Sequence, residues 1–282
     1  MPSFFNLQSM NSMRRTYWLV MILLAACTTG EQKVADKEQA SSDALFQKQA
    51  SAATGISFKN ELREQEGFDV FRYRNYYNGG GVGIADFNND GLADIYFTSN
   101  MGDNKLYLNK GNWKFEDITE KAGVKGTKVW STGVSVADVN GDGYLDIYVS
   151  NAGDVEGGQR ENELFINNGD LTFTDRAAEY GLDDKGFTTH AAFFDFDKDG
   201  DLDCYVLNNS WRPVSSLGYR NLRNERDPLG GHKLYRNDDN HFTDISEAAG
   251  IYGSVIGFGL GVTVGDVNQD QWPDIYVSND FY

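Results

Sequence analysis

Residues 137–146 read ADVNGDGYLD, and the reading of this stretch decides the fold. Asp138, Asn140 and Asp142 stand at alternate positions, so three side-chain oxygens converge on one point. Gly143 permits a sharp turn and Tyr144 offers a backbone carbonyl. A hard divalent cation takes about six to eight oxygens, so one further carboxylate is needed, and its place separates one kind of loop from another. In a helix–loop–helix calcium hand that acid is a Glu at the twelfth position, where this chain has Val149. A dockerin-type loop also needs an acid there, and a following helix. Here the acid stands at the ninth position, Asp146, and the next residues, IYV, are strand sequence.

The stretch recurs. The chain reads DFNNDGLADIYFTSN from Asp86, DVNGDGYLDIYVSN from Asp138, DFDKDGDLDCYVLNN from Asp195 and DVNQDQWPDIYVSND from Asp266. Each copy is preceded by a strand of Gly and small residues, such as GGGVGIAD or STGVSVAD. Each of the first three is followed by two further strands, such as NKLYLNKG and WKFEDITEKAGV. Four short strands per unit joined by turn residues is the pattern of a β-propeller blade. The expectation is an all-β fold, a β-propeller of four-stranded blades with calcium-binding loops, with about three and a half blades present and the ring incomplete. Residues 51–58, SAATGISF, resemble the end of a unit and are expected to supply an outer strand.

A D-x-[DN]-x-D-G-x-x-D loop running into an apolar strand resembles the FG-GAP/VCBS-repeat family, which includes the calcium-loop propellers of integrin α chains. The resemblance covers roughly residues 56–282 and rests on four copies in register. It implies four cation sites. Their ligands would be Asp86, Asn88, Asp90 and Asp94; Asp138, Asn140, Asp142 and Asp146; Asp195, Asp197, Asp199 and Asp203; and Asp266, Asn268, Asp270 and Asp274. Backbone carbonyls would come from Leu92, Tyr144, Asp201 and Trp272. Calcium, three to four ions, is the implied cofactor. The fourth copy departs from the pattern, with Gln271 in place of the turn glycine and Pro273 stiffening the loop, which sets its affinity apart. The eponymous Phe-Gly survives as Phe258-Gly259 with no Gly-Ala-Pro after it. Bacterial relatives of this kind often end in an ASPIC/UnbV module, for which this sequence shows no counterpart.

Electrostatics favours cations over solvated hairpin turns. Fourteen of the 42 acids lie in the four loops, and the third crowds Asp195, Asp197, Asp199, Asp201 and Asp203 together. The formal charge of −17 and pI near 4.5 exclude a nucleic-acid partner, which needs a clustered basic surface.

The first 50 residues read differently from the repeats. Arg14 and Arg15 precede an apolar run at 17–26, about ten residues and too short to span a bilayer as a helix, followed by Cys27. Leu24-Ala25-Ala26-Cys27 resembles a bacterial lipobox. Residues 1–26 are therefore expected to be a lipoprotein signal peptide, 27–50 a polar tether, and 51–282 the repeat domain. Lipidated Cys27 would be the membrane contact. Thr28 in place of Asp directs the protein to the outer membrane, periplasmic or surface-exposed. Cys204 would then have no disulfide partner, and it falls on an apolar strand position as a buried thiol.

The loops join first and second strands, so all lie on one face of the blades and are expected to stiffen them. The opposite face carries the connections of varied length, at 99–105, 152–162 and 209–231. The last holds Trp211, Arg212, Tyr219, Arg220, Arg223 and Arg226, a basic and aromatic island suited to an anionic or sugar-like ligand, or to pairing with neighbouring acids. His190 stands where other units have Gly81, Gly133 and Gly261, on the strand lining the central channel, either facing a ligand or packed and hydrogen-bonded. No nucleophile, base and oxyanion set can be assembled, and His232 and His241 have no Ser or Cys partner. The expected function is a calcium-stabilised, envelope-anchored binding or adhesion module for an extracellular or envelope protein or glycan. The alternative is the propeller domain of a polysaccharide lyase or hydrolase.

Overall fold

The computed structural model describes residues 45–153, 158–210, 218–219 and 221–280. The unit Gln49–Tyr282 is built from antiparallel sheets whose strands follow one another in chain order. The first blade is β1 (Val82–Ala85), β2 (Asp94–Phe97), β3 (Lys105–Asn109) and β4 (Phe115–Asp117). The second is β5 (Ser131–Ala137), β6 (Asp146–Asn151), β7 (Glu163–Asn167) and β8 (Phe173–Asp175). The third is β9 (Thr188–Phe194), β10 (Asp203–Asn208), β11 (Lys233–Asp238) and β12 (His241–Asp244). A two-stranded sheet, β13 (Gly259–Gly265) with β14 (Asp274–Asn279), starts the fourth. Four β-rich units with few helices bear out the all-β expectation.

The register repeats with the sequence. Ala137 pairs with Asp146 and Ser135 with Tyr148, as Ala85 pairs with Asp94 and Gly83 with Tyr96. Consequently the same positions of each unit face the same way. The second strands β6 and β10 are buried along their whole length, because a neighbouring blade covers each face. Between blades one and two the core joins Ala85, Phe87 and Tyr96 to Val134, Ile147 and Val149. Between two and three it joins Val139 and Tyr148 to Ala191, Cys204 and Val206. Between three and four it joins Phe194 and Tyr205 to Val262, Ile275 and Val277. Cys204 is a buried free thiol whose pKa burial drives up, as expected of an inert core residue.

The first strands approach closely, and two devices make this possible. Hydroxyls cross from blade to blade: Thr98 donates to the Thr132 carbonyl, Thr132 to Thr188 at 2.7 Å, and Thr189 to Gly259 at 3.0 Å. Gly133 supplies the space, since a Cβ there would stand 2.5 Å from both Nδ1 of His190 and the Thr189 carbonyl.

Helical turns α1 (Ser51–Thr54), α2 (Thr119–Ala122) and α3 (Ala177–Tyr180) each end in a left-handed glycine, Gly55, Gly123 and Gly181. The expected outer strand at 51–58 is corrected: the segment does match the end of a unit, but unit ends are helical turns here. Residues 62–80, outside the repeat, form a strap with a 3-10 turn at Arg74–Tyr77. Its Phe68, Tyr73 and Tyr76 pack around Trp130 at ring separations of 4.7, 5.5 and 5.2 Å. Arg74 ties it down, donating to the Ser210 carbonyl at 3.2 Å with its guanidinium 4.4 Å from the Phe258 ring centroid.

Candidate metal-binding loops and the opposite face

All four acidic loops connect a first strand to a second, and all four share one backbone. The fourth position is left-handed in each, at Asn89, Gly141, Lys198 and Gln269, with φ from 57° to 70°. The sixth is left-handed as well, at Gly91, Gly143, Gly200 and Gln271. Two such residues fold the side chains of the first, third and fifth positions back over the loop's own amides. In loop two the Asp142 amide donates to Oδ1 of Asp138 and Oδ1 of Asn140, both at 3.1 Å. The Gly143 amide donates to Oδ2 of Asp138 at 2.9 Å, and the Tyr144 amide to Oδ1 of Asp142 at 2.9 Å. Loop one repeats these bonds through Asp86, Asn88, Asp90, Gly91 and Leu92. Loop four repeats them through Asp266, Asn268, Asp270, Gln271 and Trp272, so the glycine-to-glutamine change leaves the cage intact at the cost of a φ of 72° on a residue with a Cβ.

The ninth position does something the pattern alone did not reveal. Asp146 is fully buried, and its two oxygens accept the Val139 amide at 2.9 Å and the Asn167 amide at 2.8 Å. One carboxylate thus joins the loop to the third strand of the blade. Asp94 does the same for Phe87 and Asn109, and Asp203 for Phe196 and Asn237. Burial raises the pKa of all three despite these bonds, that of Asp146 to about 6. Among the described residues Asp274 accepts only the Val267 amide, at 2.9 Å.

Loop three is the most acidic. Carboxylate oxygens of Asp195, Asp197 and Asp203 lie within 4.8 Å of one another. Oδ1 of Asp197 and Oδ1 of Asp201 are buried with no hydrogen-bond partner. Burial, then the charges of Asp199, Asp203 and Asp197, push the Asp201 carboxyl up to about 6. Orphaned carboxylate oxygens in a knot of like charge fit a divalent cation, which would satisfy both defects at once. Adjacent loops also touch. Nδ2 of Asn89 donates to the Gly143 carbonyl at 3.1 Å, and Nζ of Lys198 sits 3.9 Å from the Trp272 ring centroid.

The face at the other end of the strands is more varied. Trp211, Arg212 and Arg220, like Cys27, lie outside the described residues. Tyr219 is exposed, and the Arg223 amide donates to the Asn221 side chain. Arg226 serves the fold, donating to the carbonyls of His232 and Ile251. His190 lines a cavity of about 220 Å³ with Tyr73, Asn75, Thr132, Gly133 and Leu260. Burial lowers its pKa, favouring neutral imidazole. A larger cleft of about 530 Å³ runs between the strap and blades one and two, lined by Arg63, Glu64, Phe68, Met101 and Trp130.

Two features escaped the sequence reading. The strap and its aromatic cluster had a signal, the run FDVFRYRNYY at 68–77, which is aromatic-rich outside any repeat. His232 had one as well: it stands in register with Asn104 and Asn162. Those asparagines accept the amides of Ser99 and Asn151, each at 2.8 Å, and Nδ1 of His232 accepts that of Asn208 at 3.3 Å. Burial lowers its pKa to about 4, so it works as a neutral structural acceptor.

Fold and loops together define a protein of repeated β-blades, each blade carrying an acid-rich loop of one design. Residues 86–149 and 152–206 match the FG-GAP-like repeat. It is similar to cartilage acidic protein 1 of Xenopus tropicalis, 33% identical over 162 residues, which make up 55% of this chain and 24% of that protein. It is also similar to cartilage acidic protein 1 of Mus musculus, 32% identical over 157 residues, or 55% of this chain and 24% of that protein. The match spans about a quarter of the length of these relatives.

Proposed function

We propose that the chain is a calcium-stabilised binding module held at the cell envelope, with metal loops on one face and a protein or glycan ligand on the other. The observation that carries this reading is loop three, where buried carboxylate oxygens of Asp197 and Asp201 lack any partner within a knot of like charge. The backbone shared by all four loops, and the hydrogen-bond cage common to loops one, two and four, support one ion per loop, held by the residues named above and the carbonyls of Leu92, Tyr144, Asp201 and Trp272. Bound calcium supplies positive charge that relieves carboxylate repulsion and locks the loop. Its role in this reading is structural, drawing the loop's carboxylates and carbonyl to one point.

The ligand face follows from elimination of the metal face and from the cleft beside Trp130. The tethering element is Cys27 behind the apolar run at 17–26. Isothermal titration of calcium into the chelator-stripped chain tests the metal reading: three to four ions are expected, and Asp197→Ala should remove one of them. Unchanged stoichiometry in that variant would overturn the assignment of loop three. Fractionation tests the anchor: the chain should sediment with membranes and Cys27→Ser should not, whereas equal partition of the two would overturn lipidation.

A further inference from the structure

The left-handed fourth residue of a loop is the one that reaches the next loop. Nδ2 of Asn89 in loop one donates to the Gly143 carbonyl of loop two at 3.1 Å, and Nζ of Lys198 in loop three lies 3.9 Å from the Trp272 ring of loop four. The fourth residue of loop two is Gly141, which has no side chain to send across and open space around it. A second tie joins loops one and two from within. Nδ2 of Asn167, at the end of β7, donates to the Leu145 carbonyl of its own loop at 3.2 Å and to the Phe87 carbonyl of loop one at 2.9 Å. Its equivalent in blade three, Asn237, donates only to Leu202 of its own loop among the described residues. Loops one and two are therefore bonded twice, whereas neither of these ties runs from loop two to loop three.

The two ties differ in kind. Asn167 and Phe87 are buried, so their bond holds the loops at a fixed separation. Asn89 and Gly143 are exposed, so their bond is made only when both loops are ordered. Asn89 stands between Asn88 and Asp90, two of the candidate ligands in loop one. Gly143 stands between Asp142 and Tyr144, two of those in loop two, and the Tyr144 amide is already held by Oδ1 of Asp142 at 2.9 Å. Order imposed on one loop is thus passed through a single side chain to the ligand-bearing backbone of the other.

We propose that loops one and two take up divalent cations as a cooperative pair coupled through Asn89, whereas loops two and three fill independently. The proposal rests on the metal reading above and adds a positioning role for a residue that is not itself a ligand. An ion that orders loop one fixes Asn89 and with it the Gly143 peptide, so the second ion finds loop two partly ordered and meets a smaller entropy cost. By reciprocity, filling loop two first favours loop one by the same factor.

The test is calorimetric titration of calcium into the chelator-stripped full chain, with loops three and four disabled by Asp197→Ala and Asp270→Ala. The overall constant for two ions is divided by the product of the one-ion constants, each measured with the other loop disabled by Asp90→Ala or Asp142→Ala. In this ratio unequal site affinities cancel and only coupling remains. It should be at least about fivefold, and should fall below about twofold in Asn89→Gly, which gives loop one the residue loop two already has at that position. Loops two and three, tested alike with loops one and four disabled, should also give less than about twofold. Two bound ions with a ratio near one, a ratio that survives Asn89→Gly, or an equal ratio for loops two and three would overturn the coupling and leave the metal reading standing. A chain that binds no ion at either loop would overturn both.

Discussion

Replacing Asp146 by Ala should cost far more than replacing Asp274 by Ala, although both are the ninth residue of the same loop design. In blade two the carboxylate takes the amides of Val139 and Asn167, and both residues are buried. Truncation leaves two buried N–H groups without partners, at about 1–3 kcal/mol each, so a loss of about 4 kcal/mol is expected. For a chain of this size that is a fall in Tm of roughly 8–16 °C. Among the described residues Asp274 takes only the Val267 amide, and Val267 is exposed, so water replaces the lost bond and the cost stays under about 1 kcal/mol. Both variants lose the ninth-position ligand of their loop, so the difference measured in chelator, where no cation contributes, reports the scaffold. Calorimetric unfolding of the full chain, run in calcium and again in chelator, provides the comparison. Equal losses in the two variants would refute the claim that this carboxylate joins the loop to the third strand.

Other outcomes follow from the same geometry. Gln271→Gly should raise stability by about 1 kcal/mol, read as a higher urea midpoint, because the residue sits at a φ of 72° with its amide bond to Asp266 already in place. Gly133→Ala should lower stability by about 2 kcal/mol or more, since its Cβ would stand 2.5 Å from His190 and Thr189. Gly141→Ala has open space around it and should cost only about 1 kcal/mol of left-handed strain; a reversed order in thermal unfolding would contradict the packing argument. Glu163 accepts the Thr127 amide and hydroxyl, and burial raises its pKa above the usual carboxylate value. The folded chain therefore holds that proton more tightly than the unfolded one. Stability from this group is present below the unfolded pKa and is lost as pH rises through the raised folded value. Glu163→Gln should flatten the fall in urea midpoint as pH rises above the ordinary glutamate range, and an unchanged profile would contradict the raised folded-state value.

The strand pattern, the loop positions and the blade order were legible because each unit repeats a short code. An apolar strand after Asp146 or Asp203 can be read without a neighbour, and four copies fix the register. The ninth-position Asp was legible as an acid but not as a joint, because its partners Asn109, Asn167 and Asn237 lie in a strand that only the fold brings near. The left-handed fourth position was hidden because Asn89, Lys198 and Gln269 carry no common signal for it. Nor could the role of Arg226 be read, since a guanidinium serving the carbonyls of Ile251 and His232 looks in sequence like one awaiting an anion. The helical turns at unit ends were missed because four residues carry too little periodicity to separate them from a strand end.

The most direct test is thermal unfolding of the full chain with calcium and with chelator, joined to a count of bound ions by native mass spectrometry. The account predicts three or four ions per chain and a large calcium-dependent rise in Tm that disappears on chelation. A chain that unfolds at the same temperature in both conditions and carries no ion would contradict it.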